Sequence, residues 1–167
     1  MKALPEYVVD SSFLISLSRI NALQLIKLLP GPAFCPEEVY QEVVETGLHR
    51  GYADAFLISR EVFLPEPPLV KSVAASNRLG TKGVSPVDDS VLSLAFQLKA
   101  VLLTDDIRLR KKALGAGLKV HTSPEFLLYY LNYDSFKSAL DGLVKHRRLD
   151  EKIAKLYLEA KRQWKKE

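Results

Sequence analysis

The chain has 167 residues, enough for one domain with a proper core, and its 47% hydrophobic and 26% charged residues are ordinary for a soluble globular protein. No apolar run approaches the roughly 20 residues of a membrane span, MKALPEYVVD lacks the features of a signal peptide, and the single Cys35 excludes a disulfide or a multi-cysteine zinc site, so the expected location is the cytoplasm. The net charge of +4 is uneven: residues 1–136 carry 14 Lys/Arg against 15 Asp/Glu, and residues 137–167 carry 10 against 5, a basic tail that reads first as a solvated helix face and more sharply as an attractor of nucleic acid.

EYVVD predicts a short buried strand ending on Asp10. SSFLISLSRI and ALQLIKLL have helical apolar spacing and stop at the breaker PGP. AFC is a short strand, and PEEVYQEVVETG a helix with Pro36 in its first turn and Gly47 at its end. A helical stretch near 51–60, a strand-like EVFL, a proline-rich turn and a helix over 69–78 follow. GTKG at 80–83 is a loop whose spacing does not match a phosphate-binding loop. SPVDDSVLSLAFQL has the clearest helix start in the chain, with Ser85 as N-cap and Pro86 in the first helical position. AVLLT is a buried strand, DDIRLRKKALGAG a helix ending in glycines, and LKVHT a last short strand. From 124 onward the chain reads as helical, with breaks near 132–134 and 147–150. Alternating strands and helices imply an α/β fold with a largely parallel sheet: a body over residues 1–130 and a helical extension over 131–167, packed on that body or on a partner.

Ligands of open parallel sheets bind at the carboxyl ends of the strands. Asp10 closes the first strand and the pair Asp105–Asp106 closes AVLLT, so neighbouring strands would turn both ends toward one cleft. On the helix that starts at Ser85, Asp88 falls within the apolar arc of Val87, Val91, Leu92 and Ala95, whereas Asp89 lies with Ser93 and Gln97 and is expected to face water. Capping accounts for a first-turn acid equally well, since Ser85 and Asp88 have capping-box spacing. Glu42 sits at the border of the arc formed by Val39, Tyr40, Val43 and Val44, where a glutamate is more often a surface residue; Glu37, Glu38 and Glu45 lie on the solvated side. Gathered carboxylates repel one another unless a cation joins them. Mg²⁺ or Mn²⁺ suits oxygen ligands without Cys or His, and it can activate water and polarise a phosphoryl oxygen. The reaction so indicated is metal-assisted phosphodiester hydrolysis.

VVDSSFLISL (8–17), PEEVYQEVVETG (36–47), SPVDDSVLSLAF (85–96) and VLLTDDIRLRKKALGAGLKV (101–120), in that order, resemble the PIN-domain nucleases over roughly residues 7 to 130. The resemblance implies a three-layer α/β/α fold, cleavage of RNA with Mg²⁺ or Mn²⁺, and products with 5′-phosphate and 3′-hydroxyl ends. It also implies metal-binding acids at Asp10, Glu42, Asp88 and Asp106, with Asp105 as a supporting ligand. Ser11, Ser12 and Thr104 match the small hydroxyl residues that orient the first and last acids. For Glu42 it reverses the reading from helical periodicity. Many small members resemble VapC, the ribonuclease toxin of a toxin–antitoxin pair, which implies a homodimer and a VapB-type antitoxin. The ribosomal-RNA processing branch commonly carries a zinc ribbon, for which one cysteine does not suffice. The alternatives are an RNA-processing nuclease without an antitoxin and a binding module with vestigial acids.

Other residues carry less. Cys35 reads as a buried structural thiol, and His49, His121 and His146 have no metal-ligand spacing. Arg108 and Arg110 follow the acidic pair closely enough in sequence to meet a scissile phosphate, against the plainer reading of a solvated face. The last helix places Leu149, Ile153, Leu156, Tyr157, Ala160 and Trp164 on one stripe, expected to pack on its own domain or on a second protein.

Overall fold

The computed structural model describes residues 3–164. Five parallel strands form one sheet in the order β3-β2-β1-β4-β5: β1 (Tyr7–Val9), β2 (Ala33–Pro36), β3 (Lys71–Val73), β4 (Val101–Leu103) and β5 (Val120–His121). β1 is central and buried along its whole length, and its apolar run YVV is what a strand covered on both faces requires. On one side, α5 (Pro86–Leu98) lies against β1 and β2, with α2 (Glu37–Tyr40) and α6 (Ile107–Gly115) beside it. On the other, α1 (Ser11–Arg19) packs with α4 (Ala53–Ile58), α7 (Ser123–Tyr130) and α8 (Tyr133–Lys145). The result is a three-layer α/β/α fold.

The predicted helix starts coincide with side-chain caps. The hydroxyl of Ser85 accepts the Asp88 N–H at 3.1 Å, Asp106 Oδ1 accepts the Leu109 N–H at 2.9 Å, and Asn132 Oδ1 accepts the Ser135 N–H at 2.9 Å. Asp150 opens α9 (Glu151–Gln163) in the same way. The breaks near 132–134 and 147–150 are therefore capped turns between packed helices.

Elsewhere the chain departs from its local pattern. EVFL is not a strand: α4 runs on into a wider π-type segment, Ser59–Phe63, which buries Val62. Residues 69–78 are not a helix; they supply the edge strand β3, paired to β2 alone, and then a loop. Helical periodicity misleads here because a three-residue edge strand is too short to show alternation. ALQLIKLL tightens to a 3₁₀ segment, Leu23–Leu28. After α2 the helix widens over Gln41–Thr46 and resumes as α3 (Gly47–His49). Gly47 is required there, since a Cβ would sit 2.6 Å from Ala55 Cβ. Gly47→Ala is expected to destabilise the protein by about 2 kcal/mol in urea denaturation, through overpacking between α3 and α4.

The basic C-terminal segment packs on the same core. Phe136, Leu140 and Leu143 of α8 are fully buried and Ala154 of α9 nearly so. The stripe expected on α9 is rotated. Ala154, Tyr157 and Leu158 face the core, whereas Ile153 and Leu156 are 43% and 66% exposed. Residues Tyr130 to Tyr133 turn the chain sharply between α7 and α8, and Arg147, at positive φ, turns it again before α9. No helix among the described residues is long and apolar enough to cross a membrane.

Candidate active site

The carboxyl ends of β1 and β4 adjoin, with Val9 in register with Leu103 and the Asp10 N–H donating to the Leu103 carbonyl at 3.0 Å. Asp10 is therefore placed at the carboxyl edge of the sheet by the strand pairing itself. Its side chain is buried, and Oδ2 accepts hydroxyl hydrogen bonds from Ser12 (2.8 Å) and Thr104 (2.7 Å). The two hydroxyls are 3.1 Å apart, and each also receives a backbone N–H: Asp105 N donates to Ser12 Oγ at 2.9 Å and Asp106 N to Thr104 Oγ1 at 3.1 Å. Ser12 and Thr104 thus join the start of α1 to the loop after β4 and fix where Asp106 leaves the strand. Next to them, the Ser11 hydroxyl donates to Glu42 Oε2 at 2.8 Å. Glu42 is the second residue of the π-type segment, a wide turn that is frequent at functional sites.

Charge ties Asp88 to this group. Burial pushes the Asp10 carboxyl up to about 6, against the lowering pull of Thr104 and Ser12, and the nearby Asp88 raises it further. The Asp88 carboxyl is raised first by burial and then by Asp106 and Glu42, while hydrogen bonds from Ser85 act against the shift. Capping and proximity to the other acids coexist: Ser85 holds Asp88 in a reciprocal capping arrangement while that carboxylate feels two other acids. Among the described residues no ion pair engages Asp10, Glu42, Asp88 or Asp106.

The neighbours of these acids have other tasks. Asp89 does not face water; it is 8% exposed and accepts the Gly80 and Thr81 N–H groups at 3.2 and 2.8 Å. Burial alone would raise its carboxyl, but those hydrogen bonds and the Arg78 charge outweigh it and hold the carboxyl below the usual range. The polar side of α5 is covered by a loop, a fact outside the reach of helical periodicity. Glu38 is likewise not simply solvated, being paired with Arg78 of that loop. Asp105 turns away from Asp10: its two oxygens accept the Ser123 N–H and hydroxyl, both at 2.6 Å, which anchors the start of α7. Arg110 pairs with Glu125 at 3.6 Å, while Arg108 is exposed and makes no ion pair among the described residues.

One residue absent from the sequence reading reaches the site from the C-terminal segment. Arg148 donates through Nε to Ser16 Oγ (3.0 Å) and through Nη2 to the Ser12 carbonyl (3.1 Å), bracing the first turn of α1 that carries Ser11 and Ser12. In sequence it is one cation among ten in the tail, with nothing to single it out. Arg148→Ala is expected to destabilise the protein by about 1–2 kcal/mol in urea denaturation, because the Ser12 carbonyl and the Ser16 hydroxyl lose a charged donor.

The PIN-domain family model DUF3368 matches residues 6–155. The chain belongs to the PIN-domain family. Two solved structures resemble this PIN domain. A PilT N-terminus domain protein, SSO1118, from the hyperthermophilic archaeon Sulfolobus solfataricus P2 superposes with a TM-score of 0.53 at 16% identity, covering 75% of this chain and 93% of that one. A domain of a functionally unknown protein from Methanocaldococcus jannaschii has a TM-score of 0.49 at 20% identity, over 71% and 90% of the two chains. At 16% identity the likeness to the Sulfolobus protein is one of fold. A search of curated protein sequences returns no match. PIN domains are generally nucleases and usually employ divalent metal ions.

As they stand, no three acidic, His or Cys side chains among the described residues of this PIN domain are arranged to hold a metal ion. The donor chemistry nevertheless fits one. Asp10, Glu42, Asp88 and Asp106 supply hard oxygen ligands, burial and then neighbouring acids raise the Asp10 and Asp88 carboxyls, and no ion pair among the described residues neutralises the four.

Proposed function

We propose that this PIN domain is a divalent-metal-dependent endoribonuclease whose site is Asp10, Glu42, Asp88 and Asp106. The observation that carries the reading is the hydrogen-bonded arrangement at the carboxyl ends of β1 and β4, where Ser12 and Thr104 join Asp10 to the backbone of Asp106 and Ser11 holds Glu42 beside them, with no ion pair to these acids among the described residues. These four residues would hold Mg²⁺ or Mn²⁺, which when bound polarises a phosphoryl oxygen and lowers the pKa of water. The chain's own work is orientation. Ser12 and Thr104 fix Asp10 by one oxygen, Ser11 fixes Glu42, and the cap to Leu109 fixes Asp106. Asp105 supports the site by anchoring α7 through Ser123 rather than as a ligand. Because α8 and α9 share the core of the body, the C-terminal extension is a part of this nuclease unit.

Within that chemistry we read the protein as a VapC-like toxin, a homodimer restrained by a VapB-type antitoxin and acting in the cytoplasm; a single cysteine, too few for the zinc ribbon common in the ribosomal-RNA processing branch, favours this reading. Purified protein incubated with mixed RNA is expected to yield fragments with 5′-phosphate and 3′-hydroxyl ends with Mn²⁺ present, and none with EDTA. Intact RNA under both conditions would reject the nuclease. Growth arrest on expression, relieved by a neighbouring small gene, is expected of the toxin; growth unaffected by an active enzyme would favour RNA processing instead.

A further inference from the structure

A cavity of about 480 Å³ opens beside Glu42, between α1, the π-type segment Gln41–Thr46 and α4. Its floor is apolar, with Ile15, Val43 and Ile58, and its rim carries Arg19, Arg50, Tyr52 and Asp54. This is not the lining of an ordinary packing defect, which would be apolar throughout. Arg19 is committed, donating to Asp54 from Nε at 3.3 Å and Nη2 at 3.2 Å. Arg50 and Tyr52 are not. Arg50 is exposed and makes no ion pair among the described residues, and Tyr52 is 54% exposed with no ring partner among them. The two flank Gly51, whose φ of 72° turns the chain between α3 and α4 and so sets both residues at the rim.

Resting on the reading of the acidic site above, we propose that this cavity holds a nucleotide of single-stranded RNA next to the scissile phosphate. Tyr52 stacks on the base and Arg50 meets a backbone phosphate. Glu42 lines the cavity and also belongs to the acidic group through Ser11 and Asp88, so a nucleotide held there lies next to the acids. The volume lies within the range of pockets that enclose small organic ligands. An exposed aromatic face beside an unpaired guanidinium is how proteins hold an unstacked base, and a paired A-form duplex offers no such base. The cation is also suited to draw a polyanion toward the acids near Glu42. Arg108 and Arg110 lie on α6, away from this rim, and Arg110 is already engaged by Glu125.

Binding of a fluorescently labelled single-stranded RNA, followed by anisotropy in EDTA, separates this site from catalysis because nothing is cut. Tyr52→Ala is expected to weaken binding roughly tenfold, with Tyr52→Trp restoring it. Arg50→Ala is expected to weaken binding and to lower the salt dependence by about 0.7 in the slope of log affinity against log salt. Both alanine variants should keep the wild-type affinity for Mn²⁺. Unchanged RNA affinity in both variants would overturn the proposal and favour a protein segment as the occupant. Wild-type protein that binds RNA through Tyr52 and Arg50 yet never cleaves it would sink the nuclease reading and leave this site standing.

Discussion

Asp10→Asn is expected to abolish RNA cleavage, by roughly a thousandfold or more, while making the metal-free protein more stable at pH 7.5. The two effects have one cause. Asp10 is held in a buried position where its charged form is disfavoured and its carboxyl is pushed up to about 6 from 3.8. Between those two values the native state binds more protons than the unfolded chain, so stability falls as pH rises through the window. A shift of that size corresponds to about 3 kcal/mol lost by the time the pH exceeds 6. Asparagine keeps an oxygen for Ser12 and Thr104 but carries no charge. Urea denaturation in EDTA should therefore show the wild type losing stability between pH 4 and 7 and the variant losing less, with the variant ahead by about 1–2 kcal/mol at pH 7.5. A variant less stable than the wild type at that pH would mean that the carboxylate is satisfied in the metal-free protein.

The adjacent pair Asp105 and Asp106 should separate cleanly into stability and activity. Asp105→Ala removes both partners of Ser123, whose hydroxyl and N–H lie at a nearly inaccessible helix start. Leaving them unpaired is expected to cost about 3 kcal/mol in denaturant unfolding, with cleavage by the remaining folded enzyme reduced only modestly. Asp106→Asn should do the reverse. Asparagine caps as well as aspartate, so the bond to the Leu109 N–H survives and stability changes by less than about 0.5 kcal/mol, while cleavage falls at least a hundredfold. An inactive but stable Asp105 variant beside an active Asp106 variant would exchange their roles.

The contrast shows what a linear chain reveals and what it hides. The placement of Asp10 and Asp106 at one sheet edge was legible because each follows a run of buried apolar residues, and parallel strands carry such ends together. Asp88 was legible as an apolar-arc residue on a well-capped helix; the structure shows the Ser85 cap, and the charges of Asp106 and Glu42 act on the same carboxyl. Glu42 was illegible from periodicity, since the π-type widening that carries it has no sequence period of its own. The identity of the covered neighbour was also hidden. Asp89 reads as solvated until the loop at Gly80 and Thr81 is folded over it, and no local pattern shows that Ser123, 18 residues on, donates to both oxygens of Asp105. Arg148 is the extreme case, because a contact spanning 136 residues to the Ser12 carbonyl leaves no local trace. β3 was missed for a related reason: its place at the sheet edge is decided by pairing with β2 rather than by its own three residues.

The most direct test is isothermal titration of Mn²⁺ into the wild type and into four single variants, Asp10→Asn, Glu42→Gln, Asp88→Asn and Asp106→Asn, at pH 7.5. Saturable binding by the wild type, weakened at least tenfold in each of the four, is the expected result. No binding by the wild type, or binding undiminished when Asp10 loses its charge, would contradict the idea that these carboxylates act together on one cation.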